Sequence, residues 1–263
     1  MPNQTIDDLP TPALILDRAI LRRNLKRMSE RLAKAGVALR PHLKTAKSAQ
    51  VGRMAVEGHD GRITVSTLAE ARYFADAGFK DILYGVGVVP AKLAAISEIR
   101  AKGVNLRCVT DNVTVAKAIA AAAKGGDTFS VFIEIDSGAG RAGLPYPALP
   151  GLLDIARILH QAPNVELAGV MTHAGHSYHE NTPDGIARVA EQERQAITAA
   201  ATATVRLAIT SNQACTRTGA ATVKTSTMTL PLRSWHSGRN SAMAAAIRKP
   251  PISISPGMGA LRK

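Results

Sequence analysis

The chain has 263 residues and 46% hydrophobic content, which suffices for a packed core, and its two cysteines exclude a disulfide framework or a cysteine-rich zinc module. No apolar run approaches the roughly 18 residues of a membrane span, and Met1 to Pro12 lacks the basic and apolar regions of a secretory leader, so a cytoplasmic protein is expected. The net charge of +13 is unevenly placed: 24 basic against 20 acidic side chains up to Val205, then nine basic and no acid from Arg206 to Lys263.

Apolar runs alternate with helical periodicity from the start. Ala13 to Leu16 is expected as a strand, with Asp17 capping a helix from Arg18 to Ala35. Ile20, Leu21, Leu25, Met28 and Leu32 form its apolar stripe, and Gly36 ends it. Val37 to Arg40 reads as the next strand and Thr45 to Glu57 as the next helix. Further strands are predicted over Ile63–Val65, Asp81–Tyr84, Leu106–Val109, Ser130–Ile135 and Glu166–Met171. Helices are predicted over Leu68–Ala77, Pro90–Lys102, Val113–Lys124, Leu149–His160 and Pro183 to about Ala203.

Strand–helix repetition with short connections predicts a parallel sheet with helices outside it. After the first strand there are six β/α units, where a closed barrel needs eight. No G-x-G-x-x-G follows the first strand, which argues against a dinucleotide fold. An open doubly wound sheet would be satisfied with six units, so the expected architecture is α/β, either that sheet or an incomplete (β/α)8 (TIM) barrel.

Polar residues gather after the strands, where such barrels carry their chemistry. Arg40-Pro41-His42-Leu43-Lys44-Thr45 follows the second strand, and Ser66-Thr67 the third. Asp136-Ser137-Gly138-Ala139-Gly140-Arg141-Ala142-Gly143 follows the sixth, and Thr172-His173-Ala174-Gly175-His176-Ser177-Tyr178 the seventh. A lysine held at a strand exit in a cationic setting loses proton affinity and becomes a nucleophile toward an aldehyde, which Lys44 is placed to do. Arg141, among three glycines, suits a phenolate or carboxylate oxygen. His173, His176 and His179 are spaced three apart, but no Cys or carboxylate completes a metal set. Tyr178 offers a ring and a hydroxyl. His42 reads as a satisfied core histidine and Cys108 as strand filling.

Thr11-Pro12-Ala13-Leu14, Arg40 to Thr45, and Ile63-Thr64-Val65-Ser66-Thr67-Leu68-Ala69-Glu70-Ala71 resemble the D-serine dehydratase and D-threonine aldolase family. Asp136–Gly143 and Met171–Tyr178 match that family's later motifs in the right order. The family is similar to alanine racemase: fold-type III, a pyridoxal-phosphate (PLP) barrel of the alanine racemase N-terminal type followed by a β domain. The likeness runs from about Leu9 to about Ala203.

The resemblance implies that Lys44 forms a Schiff base with PLP. It places Arg141 near the cofactor's phenolic oxygen, His173 and Tyr178 along the cofactor pocket, and Ser66 and Thr67 beside the ring. It implies a cytoplasmic lyase acting on D-amino acids or β-hydroxy D-amino acids, with PLP as electron sink and the freed Lys44 as base. Loss of a β-hydroxyl gives dehydration, Cα–Cβ cleavage gives an aldol reaction, and reprotonation on the other face gives racemisation. The lyase outcomes use a divalent metal, Zn or Mn, in full-length relatives. A homodimer is implied for the intact family, with a small-molecule substrate and no nucleic-acid or membrane partner. An alternative is a non-catalytic PLP-binding module. Ala46 stands where many relatives have His.

The expected domain division is therefore a PLP-binding barrel over residues 9–205 and a basic tail over residues 206–263, with the C-terminal β domain missing. The tail shows neither a Gly-Ser-Thr phosphate loop nor a His-x-Cys metal pair. Ser255-Pro256-Gly257-Met258-Gly259 is a faint echo of a phosphate loop without a following helix. The tail reads as a frameshifted or aberrant replacement of the family's C-terminus. A nucleic-acid role is disfavoured, because the excess charge sits in a non-periodic segment with one aromatic residue, Trp235.

Overall fold

Asp17 and Gly36 delimit the first helix by capping chemistry. The Asp17 carboxylate accepts from the Ile20 N–H at 2.8 Å, and Gly36 closes the last turn at φ +65°. The computed structural model, which describes residues 5–213, places α1 at Arg18–Ala35 accordingly. The same logic starts α2 (Ala49–Ala55) at Ser48, α3 (Leu68–Asp76) at Thr67 and α5 (Val113–Lys124) at Asn112. A 3-10 turn at Pro90–Lys92 precedes α4 (Leu93–Ala101); α6 (Leu152–Gln161) and α7 (Pro183–Gln213) complete the helices.

The strands are β1 (Arg62–Val65), β2 (Asp81–Gly87), β3 (Asn105–Thr110), β4 (Phe129–Asp136), the two-residue β5 (Leu144–Pro145) and β6 (Val165–Thr172). All pairings are parallel: β1 to β2, β2 to β3, β3 to β4, and β4 to both β5 and β6. A parallel bridge between His42 and Thr64 sets the chain before Lys44 alongside β1. The result is the curled parallel sheet of a barrel that remains open among the described residues. No described helix is long and apolar enough to cross a membrane.

Side chains alternate across the sheet, and the two faces form different cores. Ile63, Val65, Ile82, Leu106, Val131, Ile133 and Val170 join residues of α3 to α7 in the main cluster. Leu83, Val109, Phe132 and Ala168 pack together on the inner face. At the inner face's N-terminal end Arg40, only 1% exposed, reaches Asp81 at 2.6 Å and donates to the Ile63 carbonyl at 3.0 Å. Asp81 also faces Arg107 at 3.4 Å. Removing Asp81 would leave two guanidiniums without their shared carboxylate, which makes this contact hard to lose.

The structure corrects four sequence expectations. Ala13–Leu16 is not a strand: it pairs with no strand among the described residues, and Leu14, Ile15 and Leu16 are exposed. Val37–Arg40 is not a continuous strand: Ala38 forms an isolated bridge, and pairing with β1 begins only after Arg40. The Thr64 N–H donates to the Pro41 carbonyl at 2.8 Å and the Leu43 N–H to the Thr64 carbonyl at 2.9 Å. The helix expected from Thr45 starts only at Ala49, since Lys47 at φ +46° breaks helical geometry and Ser48 caps afresh. The last helix runs on past Ala203 to Gln213. Most of the acid-free tail, with the Ser255–Gly259 echo, lies outside the described residues.

Candidate functional site

Each candidate side chain hangs from the C-terminal end of a parallel strand or bridge. Lys44 sits in the turn that leaves the His42–Thr64 bridge, its side chain exposed. Its N–H meets His42 Nδ1 at 3.3 Å, and His42 Nε2 meets Ser66 Oγ at 3.3 Å. Ser66 and Thr67 leave β1. The Ser66 N–H donates to Glu70 Oε2 at 2.8 Å, and Thr67 Oγ1 accepts the Glu70 N–H at 3.0 Å. Thr67 therefore caps α3 at the margin of the site.

The glycine-rich loop after β4 is organised by one carboxylate. Asp136 accepts from the N–H groups of Gly138 (2.9 Å), Ala139 (2.8 Å) and Gly140 (2.9 Å). Asp111 takes the Gly143 N–H at 2.8 Å. Gly143 is required where it stands: at φ +100°, a Cβ would lie 2.6 Å from the Asp136 nitrogen and the Ile135 carbonyl carbon. The loop so fixed carries Arg141, exposed, toward the chain that leaves β6. Thr172 Oγ1 donates to Ser137 Oγ at 3.1 Å and ties the two loops together.

After β6, a 3-10 segment over Gly175–His179 presents Tyr178 beside His173, ring centroids 5.9 Å apart at 60°. His176 lies between the Gly138 turn and α7: its Nε2 meets Gln192 at 3.3 Å, and its Nδ1 is buried without a partner. His179 is exposed. Among the described residues no three His, Cys, Asp or Glu side chains are arranged to hold a metal.

Electrostatics ties these loops into one site. Burial first, then the Lys44 cation, pushes the His42 pKa down to about 4; His173 adds to this and Glu70 opposes it. Burial first, then Arg141, Lys44 and His176, pushes His173 down to about 4. Both rings are thus held in the neutral form, beside the Lys44 and Arg141 side chains. Lys44, His42, Arg141 and His173 come together; Tyr178 joins through His173, and Thr67 remains at the edge.

Two acids escaped sequence reasoning. Glu134, 4% exposed, has its pKa raised by burial and by Asp111 and Asp136, with Arg141 opposing. The period-2 alternation of β4, read back from Asp136, would have placed it on the same face. Glu193 on α7 faces the Ala174 N–H, and burial raises its pKa to about 7. No local signal marks it, because its environment is made by α7 packing over the β6 loop.

Comparisons with known proteins bear on the fold and its family. Residues 16–229 match the family described as alanine racemase, N-terminal domain. The chain is similar to the D-threo-3-hydroxyaspartate dehydratase of Delftia sp. (strain HT23), 42% identical over 200 residues, covering 76% of this chain and 52% of that protein. The solved structure of that dehydratase superposes with a TM-score of 0.72. The D-serine dehydratase of Dictyostelium discoideum is 32% identical, covering 73% of this chain and 51% of its own length. The D-threonine aldolase structure from Filomicrobium marinum is 27% identical with a TM-score of 0.69, covering 76% of this chain and 54% of its own. The chain spans about half the length of the curated relatives it matches.

Proposed function

The chain belongs to the alanine racemase N-terminal domain family, and from that premise we propose that it is the cofactor-binding part of a PLP-dependent lyase for D-amino acids bearing a β-hydroxyl. The observation that carries this is the meeting of Lys44, Arg141 and His173 at the C-terminal ends of the sheet.

The residues present fit PLP, an anionic aldehyde. Lys44 supplies an accessible amine, and Lys44 and Arg141 supply positive charge. The His173 ring, kept neutral by burial, lies beside the half-exposed Tyr178 ring. When bound, PLP supplies an electron sink for bonds broken at the substrate's Cα. Lys44 is the covalent anchor and then the base that takes the Cα proton. Arg141 would pair with the cofactor's phenolic oxygen and favour its charged form. Neutral His173 would line the cofactor ring without adding charge, with the Tyr178 ring beside it. Thr67 contributes by capping α3, next to Ser66 in the turn that leaves β1. The divalent metal expected for full-length relatives is assigned no residue of this segment.

The test is to purify the chain, add PLP and record the visible absorbance of the lysine-bound cofactor beside Lys44→Ala. A band present in the natural chain and lost in the variant is expected. No band in either, or equal bands in both, overturns the proposal. D-serine, D-threonine and D-threo-3-hydroxyaspartate, each with and without divalent metal, then separate dehydration from aldol cleavage.

A further inference from the structure

Lys44 has a long, exposed side chain, so its reach depends on where its backbone is held. We infer that His42 is the positioning residue for Lys44: as the neutral Nε2–H tautomer, its imidazole pins the Lys44 backbone to the start of α3. This deepens the PLP reading and rests on it for its functional consequence.

The bonds on both sides of the ring require that tautomer. The Lys44 N–H donates to His42 Nδ1 at 3.3 Å, so Nδ1 must present a lone pair. The proton of the neutral ring is then on Nε2, where it donates to Ser66 Oγ at 3.3 Å. Ser66 is itself fixed, since its N–H donates to Glu70 Oε2 at 2.8 Å, and Glu70 is held by the Thr67 cap at 3.0 Å. Backbone bonds fix the flanks: Leu43 N–H to the Thr64 carbonyl and Lys47 N–H to the Leu43 carbonyl, both 2.9 Å. Between these anchors the Lys44 N–H bonds to His42.

The surroundings favour the neutral ring. Burial first, then the neighbouring Lys44, disfavours imidazolium, and Glu70 is the charge that opposes them. A protonated ring would set an N–H against the Lys44 N–H and break the link. The histidine is therefore a polar strut between two loops rather than core filling. Positioning of this kind matters because an amine misplaced by an ångström loses much of its reactivity.

The experiment uses the full chain. A long-range 1H–15N spectrum of the histidine-labelled, cofactor-free protein at pH 7 is expected to show one ring in the neutral Nε2–H form that vanishes in His42→Asn. An Nδ1–H or imidazolium form for that ring overturns the inference. Exchange of the Lys44 amide should quicken about five- to tenfold in His42→Leu and recover in His42→Asn, whose Oδ1 can accept the same N–H. PLP affinity should follow the same order. Equal behaviour of the Leu and Asn variants, both with native circular dichroism, overturns it too. If PLP binds the natural chain and Lys44→Ala alike, the PLP reading fails, while the tautomer and exchange results still decide the role of His42.

Discussion

Replacing Glu193 by Gln is expected to stabilise the protein at pH 8 and to leave it nearly unchanged at pH 4. Burial under α7 lifts this carboxyl from an ordinary 4.5 to about 7, against the small opposing effect of the Ala174 N–H it faces. The folded state therefore binds the proton more tightly than the unfolded chain. Stability from this group is complete below pH 4.5 and is lost as pH rises through about 7. At 1.36 kcal/mol per pH unit, the ionised side chain costs the folded state about 3 kcal/mol above pH 7. Gln has the same shape, carries no charge and can still accept the Ala174 N–H. For a chain of this size about 3 kcal/mol corresponds to a Tm rise of about 6–12 °C. Thermal unfolding of both proteins at pH 8 and pH 4, followed by circular dichroism, measures it. Equal Tm values at pH 8, or the same gain at both pH values, would refute the reasoning.

Two further outcomes follow from packing. Gly143→Ala places a methyl 2.6 Å from the backbone of β4 at φ +100°, and neither atom can yield; a loss of about 3 kcal/mol or more is expected in urea unfolding, and a loss below 1 kcal/mol would show that the loop relaxes. Cys108 is fully buried and its thiol is pushed up to about 12 by burial, so in a Cys215→Ser background a thiol reagent at pH 8 should label it only after denaturation, and prompt labelling of the native protein would contradict the structure.

Much of the fold was legible because helices announce themselves locally. Asp17 and Gly36 mark both ends of α1 within one turn of the residues they cap, and Val113–Lys124 is found where periodicity put it. The parallel strands declared themselves as short apolar runs, since β4 is buried on both faces. Ala13–Leu16 misled for the same reason: an apolar run states that a strand is possible, and only a neighbour with free backbone groups makes one. Lys47 was invisible as a break, because positive φ at a lysine is a product of its tertiary surroundings.

The site divides in the same way. Composition and spacing placed Lys44, Arg141, His173 and Tyr178 after strands, and parallel topology then puts strand ends on one side. The sequence by itself determined the βα order, the caps and which residues stand at the sheet's C-terminal end. Only tertiary structure decided that His42 links Lys44 to Ser66, 24 residues from the ring, and that Arg40 pairs with Asp81, 41 residues away. It alone decided that two histidines are neutral and one glutamate is reluctant to ionise. Capping and periodicity act within a few residues, whereas partners across the sheet and the burial that shifts a pKa depend on register between distant segments.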